Sequence, residues 1–134
     1  MSGFILDARL EVESVAVKAL DLCEARLRDD ARTAWIILVP QRAGLCELHD
    51  LLPEERVALM DEIAAVSAAL ADVTGAMKIN TGALGNIVRQ LHVHVVARNE
   101  GDFAWPGPVW GVGERVPMEP SAREALVAEL RGRL

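Results

Sequence analysis

The sequence is poor in cysteine: Cys23 and Cys46 stand alone among 134 residues, at a spacing that matches no metal or redox motif. With no disulfide framework and no export signal to read, both thiols are expected to be reduced. Basic residues are outnumbered too, 14 against 20 acidic ones, for a net charge of −6. That excludes a polyanion-binding surface built from net charge, so no nucleic-acid partner is expected, although a local site could still hold a phosphate. No apolar run approaches the ~20 residues of a membrane span, and no membrane partner is expected. The opening MSGFILDARLEVES has a short apolar patch without a basic flank or cleavage site, which does not read as a signal peptide. The expected compartment is the cytoplasm. Internal repeats and low-complexity linkers are also missing. What remains is a globular composition, 51% hydrophobic, in a chain long enough for one domain with a real core, residues 1–134.

Residues 10–28 are ambiguous between helix and short strands, and Asp29-Asp30 interrupts them as a turn. WIILV, residues 35–39, is a continuous apolar run closed by Pro40, and its β-branching favours a buried strand. Asp50, Pro53, Glu54 and Glu55 together signal a helix start. Leu59, Ile63, Val66, Leu70 and Val73 follow at helical spacing, and Gly75 is a typical left-handed stop. Residues 76–80 read as a short strand, TGALGN at 81–86 as a tight loop, and 87–98 as the clearest strand in the chain. Glu100-Gly101-Asp102 is a turn, and WPGPVWG at 105–111 is too rich in proline and glycine for a regular element. Ser121 and Glu124 have capping-box spacing ahead of a last short helix with Leu126, Val127 and Leu130 inward. The pattern predicts an α+β fold: a mostly antiparallel sheet of about five strands, one long helix and a short C-terminal helix.

The chemistry concentrates in RQLHVHVVAR, residues 89–98, which holds two of the chain's three histidines. Strand alternation places Gln90, His92, His94 and Val96 on one face and Leu91, Val93 and Val95 on the other. Side chains two apart on a strand are ~7 Å apart at the backbone, so two imidazoles can converge on one small group. Three readings compete. Both rings could simply pack and hydrogen-bond to backbone. They could ligate zinc, but that needs three or four protein ligands, and His49, Cys23 and Cys46 lie at no motif spacing. Or one could be a nucleophile in phosphoryl or nucleotidyl transfer. A neutral imidazole can attack phosphorus near neutral pH. Its other nitrogen then needs an acceptor, often a backbone carbonyl, to fix the tautomer. A second histidine and the N–H groups of a glycine loop can bind phosphate oxygens as charge develops.

QLHVHVVAR resembles the histidine triad (HIT) motif, His-φ-His-φ-His-φ-φ with φ apolar, with Gln90 in the first histidine's place. Ala97-Arg98 falls where HIT hydrolases often carry Pro-Arg, and upstream LCEARLRDDARTAWIILVPQRAGLCELHDLLPEE is similar to the family's strand, turn, strand and helix start. The resemblance covers about residues 20–111. It implies that His92 is the nucleophile and that His94 contacts the α-phosphate. It puts Asn80, Gly85 and Asn86 roughly where the family contacts ribose and phosphate. Asp29 and Asp30 read as turn residues, but the family's first turn reaches the ribose, which offers Asp30 a role there. Trp105 and Trp110 could belong to a packed loop, or Trp110 could be an aromatic wall for a base. His49 is expected to face solvent or cap the helix.

Three positions depart from the family. Gln90 can hydrogen-bond but carries no proton, although its backbone carbonyl can still orient the nucleophile. Ile87 falls where many members have Ser or Thr, and Trp35 where many have a histidine. The resemblance implies a hydrolase of a dinucleoside polyphosphate or a nucleoside phosphoramidate, working through a nucleotidyl-histidine on His92. The alternative is a nucleotide-binding module without turnover. No cofactor or resident metal is expected, though Mg²⁺ could accompany a polyphosphate as its counterion. A homodimer is expected, with WPGPVWG near the interface or the partner's site.

Overall fold

A computed structural model describes residues 3–134. The ambiguous first part of the chain resolves into α1 (Ala8–Val12) and a hairpin of β1 (Ser14–Ala19) and β2 (Cys23–Arg28). Short strands are possible there because the turn is held from outside. Glu62 accepts the N–H groups of Leu22 and Cys23, each at 2.8 Å, which satisfies turn donors that the local sequence leaves open. β3 (Trp35–Pro40), β4 (Lys78–Gly82) and β5 (Val93–Arg98) complete a five-stranded sheet in the order β1-β2-β3-β5-β4, antiparallel throughout. The fold is the expected α+β arrangement of an antiparallel five-stranded sheet with one long and one C-terminal helix, with α1 as an additional short helix.

The long helix α2 (Pro53–Thr74) starts and stops where its sequence signals lie: Pro53 opens it and Gly75, at φ 69°, ends it. Leu59, Val66 and Leu70 are buried along its inner stripe, with Ile63 and Val73 packed beside them. They meet the sheet face made by Cys23, Ala25, Leu27, Ile36, Leu38, Val93, Val95 and Ala97. The last helix, α3 (Pro120–Arg133), closes the same core with Leu130, while Leu126 and Val127 are partly buried. Its cap is Glu119, whose carboxylate accepts the Ala122 N–H at 3.0 Å; Ser121 lies inside the first turn. The helix is real, but its start is displaced from the capping box expected at Ser121. Among the described residues, no helix is long and apolar enough to cross a membrane.

The strand expected from residue 87 begins only at Val93. Both neighbours run out there: β3 last pairs through Leu38 with Val93, and β4 ends with Gly82 opposite His94. Leu91 instead donates its N–H to Leu45 in the loop after β3. Residues 83–92 therefore form an irregular rim, and the alternation of side chains continues past the end of the ladder.

Candidate active site

The face of the sheet away from α2 carries the site. Antiparallel pairing sets His94 opposite Ile37 and Val96 opposite Trp35, so the indole of Trp35 lies diagonally beside the His94 ring. Its Nε1–H donates to His94 Nδ1 at 2.9 Å. An indole nitrogen can only donate, so His94 Nδ1 must be bare, and in the neutral ring the proton sits on Nε2. Burial pulls the His94 pKa down from 6.5 to about 3, helped by the charges of His92 and Arg28. His94 is therefore a neutral ring with one defined donor.

His92 is fixed in the opposite sense. Its Nδ1 lies 2.7 Å from the backbone carbonyl of Gln90. A carbonyl can only accept, so Nδ1 carries a proton, and in the neutral ring Nε2 keeps a free lone pair. The rings sit 4.9 Å apart, centroid to centroid, at 71°. Both histidines are largely buried, at 6% and 7% exposure. They line a groove of about 400 Å³ together with Gly85, Asn86, Arg9, Glu13 and Arg28. Gly85, at φ 74°, adopts a left-handed conformation that side-chain-bearing residues rarely take, and this turns the loop toward His92.

Trp110 also lines the groove. Its ring packs edge-on against His94 and Trp35, at 5.6 and 6.2 Å between centroids. Gly82, opposite His94 on β4, makes room for it: a Cβ there would lie 3.0 Å from the indole. The Trp110 Nε1–H is buried with no hydrogen-bond acceptor. The loop that delivers Trp110 is latched by buried Arg98, which pairs with Asp102 at 2.8 Å and donates to the Gly107 carbonyl at 2.8 Å.

The remaining candidates are placed differently. Asn80 accepts from Arg98 Nη1 at 2.6 Å and so belongs to that latch. Asp30 is buried, paired with Arg32 at 2.8 Å, and does not line the groove. Gln90 presents its backbone carbonyl to His92, but its side chain turns to the N-terminal segment: Oε1 accepts the Asp7 N–H and Nε2 donates to the Ile5 carbonyl, each at 2.8 Å. Ile87 is 82% exposed at the groove's edge. His49 is exposed, in a short turn at Leu48–Asp50, yet it lines a second cavity of about 230 Å³ that also reaches His92. Among the described residues, no three His, Cys, Asp or Glu side chains are grouped to hold a metal ion.

The HIT domain family matches residues 9–101, a span that takes in the hairpin, α2 and both histidines. The chain belongs to the HIT family. Its fold is shared with HIT proteins of known structure. One from Sinorhizobium meliloti 1021 is 49% identical over 100% of this chain and 99% of its own, with a TM-score of 0.97. Histidine triad proteins from Bradyrhizobium japonicum and Marinobacter aquaeolei VT8 are 38% and 37% identical, cover 97% and 98% of this chain and 97% and 96% of their own, and have TM-scores of 0.94 and 0.95. No curated protein matches the chain in sequence. Within this HIT protein, sequence reasoning named the two histidines, Gly85, Asn86 and Trp110, all of which line the groove. It missed the Trp35–His94 hydrogen bond, the clearance at Gly82 and the guanidinium groups of Arg9 and Arg28. Trp35 stood out in the sequence only as a departure from the family, and its target depends on strand register.

Proposed function

We propose that this HIT protein is a nucleoside-phosphate hydrolase acting on a dinucleoside polyphosphate or nucleoside phosphoramidate, with His92 as the nucleophile. The observation that carries this is the opposite fixing of the two rings. The Gln90 carbonyl leaves His92 Nε2 with a lone pair, and the Trp35 indole leaves His94 Nε2 with a proton. A nucleophile and a donor side by side fit attack at a phosphoryl centre that gains charge on its oxygens. His92 Nε2 attacks the α-phosphorus and forms an N–P bond, while the bond to the leaving group breaks and its electron pair departs with that group; a polyphosphate leaves as an anion, and an amine also takes up a proton from solvent. Water then attacks the nucleotidyl-histidine and loses a proton to solvent as the P–O bond forms, the N–P electrons return to His92, and a nucleoside monophosphate leaves. His94 and the N–H groups around Gly85 and Asn86 hold the phosphate oxygens, and Trp110 supplies an aromatic wall. Mg²⁺ enters, where it does, as a counterion of the substrate.

Gln90 stands in this scheme at the first triad position, where it orients His92 through its carbonyl. The second reading is a nucleotide-binding module without turnover. It draws on the same position, because a glutamine has no proton for a leaving group and Ile87 offers no hydroxyl at the groove's edge. The deciding experiment is incubation with an adenosine polyphosphate and with an adenosine phosphoramidate, followed by mass spectrometry of the protein. A nucleotide on His92 and released AMP are expected. Tight nucleotide binding with no product above buffer hydrolysis would leave the binding module. A homodimer remains our expectation. The WPGPVWG loop, which packs on its own sheet through Val109 and Trp110, is proposed to lie near the interface or the partner's site.

A further inference from the structure

We infer that residues 5–9 form a strap, latched by Gln90, that holds the Arg9 guanidinium at the mouth of the histidine groove to bind the phosphates beyond the α-phosphate. The preferred substrate would then be a nucleoside polyphosphate and not a phosphoramidate. The inference rests on the groove being a nucleoside-phosphate site, as proposed above.

The latch uses both ends of one amide. Gln90 accepts from the Asp7 N–H and donates to the Ile5 carbonyl, as a neighbouring strand would, across more than eighty residues of sequence. A carboxylate could not make the second bond, since it has no donor. Once Asp7 is fixed, its carboxylate takes Arg9 Nε at 3.1 Å and Nη2 at 3.0 Å. Arg9 Nη1 then reaches over to the Ile87 carbonyl at 3.3 Å, on the loop that carries Gly85 and Asn86. Three of the guanidinium's five N–H groups are thereby engaged, and two remain for a ligand. The side chain is 60% exposed at the groove, so an incoming anion can reach it. A pair serving only to cap α1 would need Asp7 and the Arg9 backbone, and would not require the guanidinium to bridge toward Ile87.

The second cation of the groove, Arg28, lies 4.5 Å over the Trp35 ring and is partly neutralised by Glu13 at 3.4 Å. Arg9 and Arg28 are the groove's two positive groups in a chain of net charge −6. The chemistry of the leaving group points the same way. An amine must take up a proton as it departs, and the Gln90 side chain, turned away to Ile5 and Asp7, supplies none. A pyrophosphate-type group departs as an anion and needs cations instead.

The test compares equilibrium binding of AMP with that of the α,β-methylene analogue of ATP, which cannot be cleaved at the first bridge. Wild-type protein, Arg9→Met and Gln90→Glu are titrated by calorimetry at low and high salt. The wild type should bind the triphosphate analogue at least about tenfold more tightly than AMP, the size of one charge-assisted contact, and salt should erode that ratio. Arg9→Met should bring the ratio close to one. Gln90→Glu should lower it as well, because it breaks the latch without touching Arg9; if that variant fails to fold, Arg9→Met decides alone. Equal binding of the two ligands by the wild type, or a ratio that Arg9→Met leaves intact, overturns the strap. A merely structural strap would weaken both ligands together and keep the ratio. An Arg9-dependent ratio without any nucleotide on His92 would sink the hydrolytic reading and leave the strap. A nucleotide on His92 with equal binding would do the reverse, and no nucleotide binding at all would remove both.

Discussion

On one face of β5, Val93, Val95 and Ala97 meet Ile36, Leu38 and the inner stripe of α2; on the other, His94 meets two indoles and an open groove. The faces are made from the same few residues, alternating one by one. The aliphatic face is interchangeable in its details, because burying apolar surface is non-directional. The histidine face is not, since each ring is set by a hydrogen bond that only one kind of atom can make: a carbonyl for His92, an N–H for His94. Stability and chemistry should therefore separate when the two faces are perturbed.

The sharpest separation is at His92. His92→Ala should abolish the covalent nucleotide while the melting temperature stays near that of the wild type, as intact-mass spectrometry and a thermal scan would report. His94→Ala should slow the reaction by ~10²–10³ and weaken phosphate binding along with it, the usual loss for one donor in a preorganised site. A fall in stability with unchanged chemistry in either variant would mean that the rings merely pack.

The converse break is Leu38→Ala on the aliphatic face, where the side chain is fully buried. It should cost about 2–5 kcal/mol in urea unfolding, with the rate per folded molecule unchanged. A reaction rate that collapsed in the folded fraction would show that the faces are not independent.

A smaller effect concerns pH. His94 has a folded pKa of about 3 against 6.5 unfolded, so the native state refuses a proton that the unfolded chain accepts. Its contribution to stability is complete above the unfolded value and is lost as pH falls from there toward 3, at roughly 1.4 kcal/mol per pH unit. Between pH 7 and 5 the wild type should lose about 2 kcal/mol more than His94→Gln, in which that group no longer titrates. Parallel urea curves at the two pH values would check it, and equal losses in the two proteins would refute it.

The smallest expected change is Trp35→Phe, which keeps a ring and removes the N–H. Stability should fall by about 1 kcal/mol, and the reaction should slow by roughly tenfold as His94 loses its fixed tautomer. Single-turnover kinetics on the folded variant would measure this. An unaffected rate would mean that the indole only fills space.

Much of the fold was legible because it follows from local pattern. The stripe of Leu59, Val66 and Leu70 between Pro53 and Gly75 can only be satisfied by a buried helix face, and WIILV up to Pro40 by a buried strand. The histidine face was legible for the same reason, since a period of two survives even where the ladder stops short of residue 92. The hairpin of β1 and β2 was not, because Glu62 completes its turn from another element. The cap of α3 was misplaced because Ser121-x-x-Glu124 and Glu119-Pro120 are both acceptable starts, and the Glu119 carboxylate takes both the Ala122 N–H and the Ser121 hydroxyl, which leaves Ser121 inside the first turn.

The sequence by itself determined which residue types face the groove, since alternation commits His92 and His94 to one side and Leu91, Val93 and Val95 to the other. Only the tertiary structure decided what those residues are. Trp35 becomes a donor to His94 through strand register, Asp30 becomes a buried ion pair, and Gln90 turns its amide away to hold residues 5–7. Each of these depends on a hydrogen bond between groups that the chain must bring together, and direction and distance are not written in a pattern of apolar and polar residues.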